Sequence, residues 1–192
     1  MRKLTRPAAP NCLASHASQW TEAWRAAMES KPKSRFGWGS KNCYTKIRQQ
    51  LALMTQGHCA FCDGFLGRES RETVEHFRPK RRFPELAYDW GNLFPCCDRC
   101  QSEKKEQFDD RLLKPDDMDY DFSRYFLINF TTGKLEPRPD ATATDQARAR
   151  TSIQLYGLNL PERLIARLRE DEHFRRDPSP NLDDYAYRFF LE

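Results

Sequence analysis

Two pairs of cysteines offer the clearest chemistry in the sequence, because each pair has the spacing of a metal-binding turn. Cys59 and Cys62 form the first pair, and Cys97 and Cys100 form the second. Zinc prefers four tetrahedral ligands, and each CxxC turn offers two thiolates at about 2.3 Å from one ion. The spacing therefore predicts a closed structural zinc site. Zinc there would clamp both ends of the intervening segment and couple metal binding to folding.

The remaining cysteines are not required for this site. Cys96 directly precedes Cys97, and only Cys97 has a two-residue gap to Cys100. We therefore interpret Cys96 as either a buried bystander or an occasional substitute ligand. Cys12 and Cys43 are predicted to be ordinary thiols. Seven unevenly spaced cysteines indicate a metal site rather than a disulfide framework in a reducing compartment.

The segment between the two cysteine pairs contains Glu75 and His76 side by side. A neutral histidine can take a proton from water near neutral pH, and a carboxylate oxygen suits Mg²⁺ or Mn²⁺. Metal-assisted hydrolysis of a phosphodiester needs both groups. Adjacent side chains on a strand point to opposite faces, so we expect the two groups to converge only where the strand bends or ends. Pro79 is consistent with such an end.

A run of cations follows this pair directly and consists of Arg78, Lys80, Arg81 and Arg82. The whole chain has a formal net charge of +4, which permits a polyanionic partner but is mild for a nucleic-acid coat protein. Beside Glu75 and His76, the run predicts contacts to phosphates, which position a nucleic acid without reading its sequence. Binding through such contacts weakens as salt increases.

The elements that must position these groups are predicted from hydrophobic spacing and capping residues. Two helices precede the segment, over residues 17–29 and 41–56, and the second has Ser40 as its N-cap and Gly57 as its stop. The elements predicted after it are a hairpin with strands at 125–130 and 134–136, a helix over 144–156 and a helix that begins at Pro161.

The length and composition predict one folded unit. A chain of 192 residues suffices for one hydrophobic core but hardly for two independent domains. Charged residues make up 31% and aromatic residues 12%, which is typical of a folded protein. No apolar run reaches the length of a membrane span, and the N-terminus lacks the apolar core of a signal peptide. We therefore expect a cytoplasmic protein with no membrane partner.

Taken together, these motifs resemble the zinc-bearing HNH nucleases. The stretches that carry the resemblance are Cys59–Cys62, Glu75–Lys80, Asp89–Leu93 and Cys97–Lys104. The resemblance implies a ββα-metal unit in which His76 is the general base and Asn92 holds the loop. It also implies Glu75 and Gln101 as ligands of Mg²⁺ or Mn²⁺. Lys104, three residues after Gln101 on one helix face, would meet the same phosphate.

The sequence departs from the HNH pattern at Gln101, where that family has His or Asn after the last cysteine. A glutamine carbonyl oxygen can bind Mg²⁺, but its longer side chain requires a different placement. This departure predicts reduced activity or an altered metal preference. Glu75, one methylene longer than the Asp that is commoner there, is interpreted as a compensating change.

The resemblance extends to the HNH subunits, the PtuB family, of Septu-type and retron-associated antiphage systems. The opening residues 1–7 and the later stretch at 130–137 carry it beyond the HNH motifs. It implies an effector nuclease that works in a hetero-oligomer with an ABC-type ATPase, PtuA. The chain has no Walker A sequence, so ATP dependence would have to come from another chain.

These observations together predict a mainly helical α+β chain with a zinc-clamped ββα-metal core and helical extensions on both sides. We assign residues 1–56 to an N-terminal helical extension, 57–110 to the nuclease core and 111–192 to a C-terminal hairpin and helical region, packed as one unit. The predicted function is hydrolysis of nucleic acid, with DNA favoured. A catalytically weak zinc-binding adaptor and a stand-alone restriction-type nuclease remain as alternatives, although no recognition element for the latter is evident.

Overall fold

The computed structural model describes residues 1–68 and 70–192. Its elements in chain order are α1 (Asn11–Ser30), α2 (Lys41–Thr55), β1 (Glu72–His76), β2 (Leu93–Cys97), α3 (Asp98–Lys104), α4 (Phe122–Tyr125), β3 (Phe126–Asn129), β4 (Lys134–Pro137), α5 (Ala143–Leu155), α6 (Pro161–Arg176) and α7 (Arg188–Leu191). The predicted mixture of helices and small sheets is confirmed. None of the described helices combines the length and the apolar character needed to cross a membrane.

Helix α2 has the caps that the sequence predicts. The Ser40 side chain accepts a hydrogen bond from the Cys43 amide, and the helix ends where Gln56 and Gly57 adopt left-handed backbone angles, with φ of 50° and 77°. The apolar stripe of α2 faces the core, where Ile47 and Leu51 are fully buried. The helix thus forms a firm support for the cysteine turn that follows it.

A disulfide between Cys12 and Cys43 joins α1 to α2, with 5.8 Å between the two Cα atoms. The prediction that these two cysteines are ordinary thiols is therefore wrong for this structure. Packing of the two helices brings together two residues that lie 31 positions apart in the sequence. That proximity depends on tertiary contacts, so the local sequence contained no sign of it.

Strands β1 and β2 form a two-stranded antiparallel sheet in which Glu72 pairs with Cys97 and His76 pairs with Leu93. All five residues of β2 are buried. Helix α3 begins directly after β2, and the Cys97 sulfur accepts the Cys100 amide at its first turn. The order β1, β2, α3 therefore places the second cysteine pair next to the strand that carries Glu75 and His76.

The rest of the chain packs around this unit. Strands β3 and β4 form a second antiparallel pair, from Phe126 opposite Pro137 to Asn129 opposite Lys134, and helix α5 packs beside β4. One hydrophobic cluster includes buried residues from every region of the chain. Its members include Leu13, Ile47, Phe94, Leu135 and Phe190.

Candidate functional site

The four predicted zinc ligands lie together in the interior. Cys59, Cys62, Cys97 and Cys100 are buried, and their sulfur atoms all lie within 4.8 Å of one another. The sulfurs of Cys62 and Cys97 are 3.7 Å apart. A tetrahedron with metal–sulfur distances of about 2.3 Å has edges of about 3.8 Å, so this separation fits a shared zinc ion. The cluster can therefore hold a metal ion such as zinc.

Cys96 lies outside this cluster, although it is next to one of its members. Its sulfur is not one of the four that lie within 4.8 Å of one another, but it is close enough to make side-chain hydrogen bonds with Cys59, Cys97 and Cys100. Its thiol donates to the Cys97 carbonyl at 3.3 Å, and burial raises its pKa well above the ordinary value. By contrast, the pKa of Cys97 is lowered to about 4, and the largest cause is a hydrogen bond with the Cys100 thiol. This placement agrees with both interpretations of Cys96, the buried bystander and the substitute ligand.

An arginine from α6 also reaches the cysteine cluster. Arg163 is 4% exposed, and its Nη2 lies 3.2 Å from the Cys100 sulfur and 3.8 Å from the Cys97 sulfur. Its Nη1 donates to the carbonyls of Tyr156 and Gly157 at 2.8 and 3.0 Å. The guanidinium therefore offsets the negative charge that bound thiolates would carry. Sequence analysis missed this residue, because no motif links α6 to the cysteines.

His76 is the last residue of β1, and three contacts hold its ring. The Nε2–H donates to the Ala87 carbonyl at 2.9 Å. The ring stacks on Trp38 at 5.3 Å between centroids, and Phe36 meets it edge-on at 5.3 Å. Burial, with a smaller effect from the charge on Lys80, lowers the pKa of His76 to about 3. The imidazole is therefore neutral, and its Nδ1 is the nitrogen that can accept a proton.

Glu75 points to the other face of β1, toward α3. The carboxylate is 4% exposed, and its Oε1 accepts from the Lys104 Nζ at 2.7 Å. Burial raises the pKa of Glu75, while Lys104 and a hydrogen bond with Gln101 oppose that rise. Gln101 is half-buried and also donates to the Val74 carbonyl at 3.3 Å. The structure thus brings Glu75 and Gln101 together, and Gln101 lines the cleft beside His76 whereas Glu75 does not.

Lys104 has no exposed surface. Besides the Glu75 carboxylate, its Nζ donates to the His76 carbonyl at 3.1 Å. The predicted contact between Lys104 and a phosphate does not fit this placement, because the ammonium group is enclosed and its donors are directed inward. Helical spacing correctly placed Lys104 near Gln101, but it could not show that the side chain turns toward Glu75.

Asn92 is buried and joins two backbone segments of the loop between β1 and β2. Its Oδ1 accepts from the Arg78 amide at 2.7 Å, and its Nδ2 donates to the Arg78 and Leu86 carbonyls at 2.9 and 3.0 Å. A single amide side chain therefore holds the residues that follow His76 in one arrangement. This is the role that the HNH resemblance implies for Asn92.

The four cations after His76 do not all face the same space. Lys80 is half-buried and lines a cleft together with His76. Arg78, Arg81 and Arg82 are exposed on the outer side of the loop. Arg81 and Arg82 also donate to backbone carbonyls, at 2.8 and 3.3 Å respectively. The run predicted from sequence is therefore divided between the cleft and the adjacent surface.

The cleft beside His76 has a volume of about 920 Å³. His76, Lys80 and Gln101 contribute to its wall. The wall also includes residues that sequence analysis did not select, namely Phe36, Trp38, Tyr44, Arg48, Arg68 and Arg71. Four of these residues come from α2 and the segment before it, outside the cysteine-bounded region, whereas Arg68 and Arg71 lie inside that region but before the cation run.

Two curated proteins are similar to this chain, and both bear the name Septu protein PtuB. The relative from Bacillus thuringiensis is 33% identical over 105 residues, which cover 54% of this chain and 37% of the relative. The relative from Bacillus mycoides (strain KBAB4) is 34% identical over 76 residues, which cover 32% of this chain and 26% of the relative. No protein-family model matches the chain.

These similarities confirm the resemblance to Septu PtuB that the motifs predict. The chain spans little more than a third of the length of the first relative and about a quarter of the second, at 37% and 26%. The names of the relatives state the defence system and the subunit, and they do not state a reaction. The reaction therefore has to be argued from the site itself.

Proposed function

We propose that this chain is an HNH endonuclease that hydrolyses phosphodiester bonds of nucleic acid, with DNA favoured, as the effector of a Septu-type antiphage system. One observation carries the proposal. His76 is a neutral imidazole that the Ala87 carbonyl orients on the wall of a basic cleft, on the strand that pairs with the strand carrying Cys97. The similarity to Septu PtuB supports the same assignment.

The proposed ββα-metal core consists of β1, β2 and α3. Strand β1 contributes Glu75 and His76, and α3 contributes Gln101. A zinc ion on the four cysteines would fasten the turn after α2 to the junction of β2 and α3. In this assignment the zinc is structural, because four thiolates leave no open position for a substrate.

In the proposed reaction His76 acts as the general base. The Nε2–H donates a hydrogen bond to the Ala87 carbonyl, so Nδ1 is the nitrogen that takes the proton from a water molecule. The water oxygen attacks phosphorus, the bond from phosphorus to the 3′ oxygen breaks, and that oxygen leaves with a proton from solvent. The products are the 3′-hydroxyl and 5′-phosphate ends that the HNH resemblance implies.

Glu75 and Gln101 are the residues that would hold a catalytic Mg²⁺ or Mn²⁺ ion, because both offer the oxygen ligands that these ions prefer. Lys104 engages Oε1 of Glu75 at 2.7 Å, so Oε2 is the oxygen that would be left to hold such an ion. When bound, such an ion supplies stabilisation of the negative charge on the phosphate and the leaving oxygen.

The cations near His76 would hold the backbone of the substrate. Lys80 contacts it inside the cleft, while Arg78, Arg81 and Arg82 contact it along the outer loop. Several phosphate contacts make binding strongly dependent on salt, so affinity should fall steeply between about 50 and 200 mM salt. Affinity that stays flat over this range would exclude these contacts.

The partner in this proposal is an ABC-type ATPase of the Septu system, PtuA, in a hetero-oligomer in the cytoplasm. The chain contains no phosphate-binding loop of the Walker A type. Control of cleavage by ATP would therefore reside in the partner. We expect the nucleotide state of the ATPase to restrain or release the nuclease.

A second candidate is a catalytically weak zinc-binding adaptor that docks the ATPase or a nucleic acid. The ion pair between Glu75 and Lys104 favours it, because this pair occupies a carboxylate that catalysis would need for a metal ion. The adaptor would bind its partner equally well with or without an intact His76. A nuclease would lose turnover without that residue and keep its binding.

The test is cleavage of supercoiled plasmid by the full chain with Mg²⁺ or Mn²⁺, with and without the ATPase. His76→Ala should abolish cleavage and leave the zinc content unchanged. His173→Ala is the matched control, because His173 is an exposed histidine on α6 outside the cleft. Cleavage by wild type and control only would establish the nuclease. Absence of cleavage of the plasmid and of single-stranded DNA and RNA in every arm, with partner binding intact, would establish the adaptor.

A further inference from the structure

The cleft beside His76 has features that no motif in the sequence indicates. They bear on whether the substrate is single-stranded or double-stranded. Building on the proposed nuclease function, we infer that this cleft binds a single strand of nucleic acid and that an unpaired strand is the form that reaches His76. Three properties of the cleft carry this inference. They are its charge, its aromatic wall and its size.

The charge of the cleft suits a chain of phosphates. Its wall contains four cations and one carboxylate among the described residues. Arg48 pairs with that carboxylate, Glu72, whereas Arg68 and Arg71 are exposed at the cleft. Lys80 adds a further cation on the side of His76. The surplus positive charge would hold two or more successive phosphates of one strand.

The aromatic wall suits nucleobases. Trp38 lies between Tyr44 and His76, with ring centroids 4.9 and 5.3 Å away and interplanar angles of 23° and 20°. Both faces of Trp38 are therefore covered by neighbouring rings, and the half-buried rings of Phe36 and Tyr44 on the same wall are the ones left for bases to stack on. Proteins that bind single strands combine a positive groove along the backbone with aromatic rings on which bases stack. The cleft has both parts of this arrangement.

The small size of the cleft favours an unpaired strand over a duplex. Its volume of about 920 Å³ falls in the range of ligand-sized pockets, and His76 on its wall is only 4% exposed. The phosphates of a duplex lie on the outside of a stiff double helix, and the second strand would meet the rim of the cleft. An unpaired strand can bend, turn its bases outward and bring one phosphate down to the imidazole.

The first experiment compares the affinities of short fluorescent oligonucleotides for the full, zinc-loaded chain at about 100 mM salt. Single-stranded DNA, single-stranded RNA and duplex DNA of one length are the three probes. At least one single strand should bind about tenfold more tightly than the duplex, and comparison of the two single strands identifies the preferred sugar. Duplex binding that equals or exceeds single-strand binding overturns the inference.

Paired variants test whether the binding occurs in the cleft. Arg68→Ala with Arg71→Ala should weaken single-strand binding by about tenfold or more and make the salt slope shallower by about 1.4, or about 0.7 for each lost contact. The matched control is Arg150→Ala with Arg176→Ala, which removes the same charge from exposed residues outside the cleft. An equal loss in the control overturns the inference, because the binding would then follow only the net charge.

Cleavage of the same probes separates this inference from the proposed function. Single-strand binding through Arg68 and Arg71 without His76-dependent cleavage would support the inference that the cleft binds a single strand. It would overturn the proposed nuclease function. Faster cleavage of the duplex than of either single strand, still abolished in His76→Ala, would support the nuclease and overturn the single-strand preference.

Discussion

The ammonium group of Lys104 lies 2.7 Å from the carboxylate of Glu75 in the interior, where the two side chains are 0% and 5% exposed. The same Nζ donates to the backbone carbonyl of His76 at 3.1 Å. One lysine from α3 therefore holds both members of the Glu75 and His76 pair, one by its side chain and the other by its backbone. This contact sets the position of strand β1 against α3.

Replacing Lys104 should be costly, because Glu75 would lose the cation that compensates its buried charge. We expect Lys104→Met to lower the free energy of unfolding by about 3–5 kcal/mol, measured by urea titration. Adding Glu75→Gln should recover much of this loss, since the uncompensated charge is then absent. Lys105→Met, at the exposed neighbouring position, is the control and should change little. A double variant no more stable than Lys104→Met would contradict this explanation.

The cysteine cluster should bind one zinc ion per chain through four of its five neighbouring thiols. Cys100→Ser should lower the zinc content and the unfolding temperature, because zinc binding contributes directly to folding. Cys96→Ser is the matched control and should retain zinc, since the Cys96 sulfur is not one of the four that lie within 4.8 Å of one another. Metal analysis of both purified variants checks this. Loss of zinc in Cys96→Ser alone would mean that Cys96 and not Cys100 is the ligand.

Arg163 should slow the release of zinc, because its guanidinium donates to the sulfurs of Cys97 and Cys100. Loss of such a supporting contact typically lowers metal affinity by about 10–100-fold. We therefore expect Arg163→Met to release zinc to a chromogenic chelator at least about tenfold faster than wild type. Arg169→Met, at an exposed position of the same helix, serves as control. Equal release rates in the two variants would exclude a role for Arg163 at the metal.

Asn92→Ala should loosen the loop that follows His76. The change removes the hydrogen bonds with the Arg78 amide and carbonyl and with the Leu86 carbonyl. Buried groups left without partners cost about 1–3 kcal/mol, so we expect a loss of about 2–3 kcal/mol in unfolding free energy. Hydrogen exchange at the Arg78 amide should accelerate more than at amides of α5. Asn42→Ala, at an exposed position, is the control, and unchanged exchange at Arg78 would contradict the prediction.

His76 should make the fold less stable in mild acid. Burial lowers its pKa from 6.5 to about 3, so the unfolded chain binds a proton below 6.5 while the folded chain stays neutral. The contribution of His76 to the free energy of unfolding is therefore fully present above pH 6.5 and is lost as the pH falls toward 3. The decrease from about pH 7.5 to 5.5 amounts to about 1.4 kcal/mol.

Urea unfolding of wild type and His76→Gln at both pH values isolates this contribution, because zinc is present in both proteins. The wild type should lose about 1.4 kcal/mol more than the variant between the two pH values. Equal losses would show that His76 titrates at its ordinary pKa in the folded protein.

Local features of the fold could be predicted from the sequence where short-range physics determines them. Helix α2 lies within one residue of its prediction, because Ser40 supplies a cap and Gly57 a left-handed stop. The hairpin around Gly133 and the start of α6 at Pro161 follow from turn and cap chemistry in the same way. The four clustered cysteines could also be predicted, since metal geometry restricts ligand spacing.

Contacts between distant segments could not be predicted, because no local pattern encodes them. The inward turn of Lys104, the disulfide between Cys12 and Cys43, and the approach of Arg163 to Cys100 all depend on how separate helices pack. The same holds for the Trp38 ring against His76.

The sequence by itself thus determined which residue types are present and which short elements carry them, because capping, turn chemistry and ligand spacing act over a few neighbouring residues. Only the tertiary structure decided which of those groups face a cleft and which are enclosed. Burial and partner choice arise from packing between segments that are far apart in the chain. For that reason His76 could be selected as a candidate from its neighbours in sequence, while the cleft that surrounds it could not be predicted.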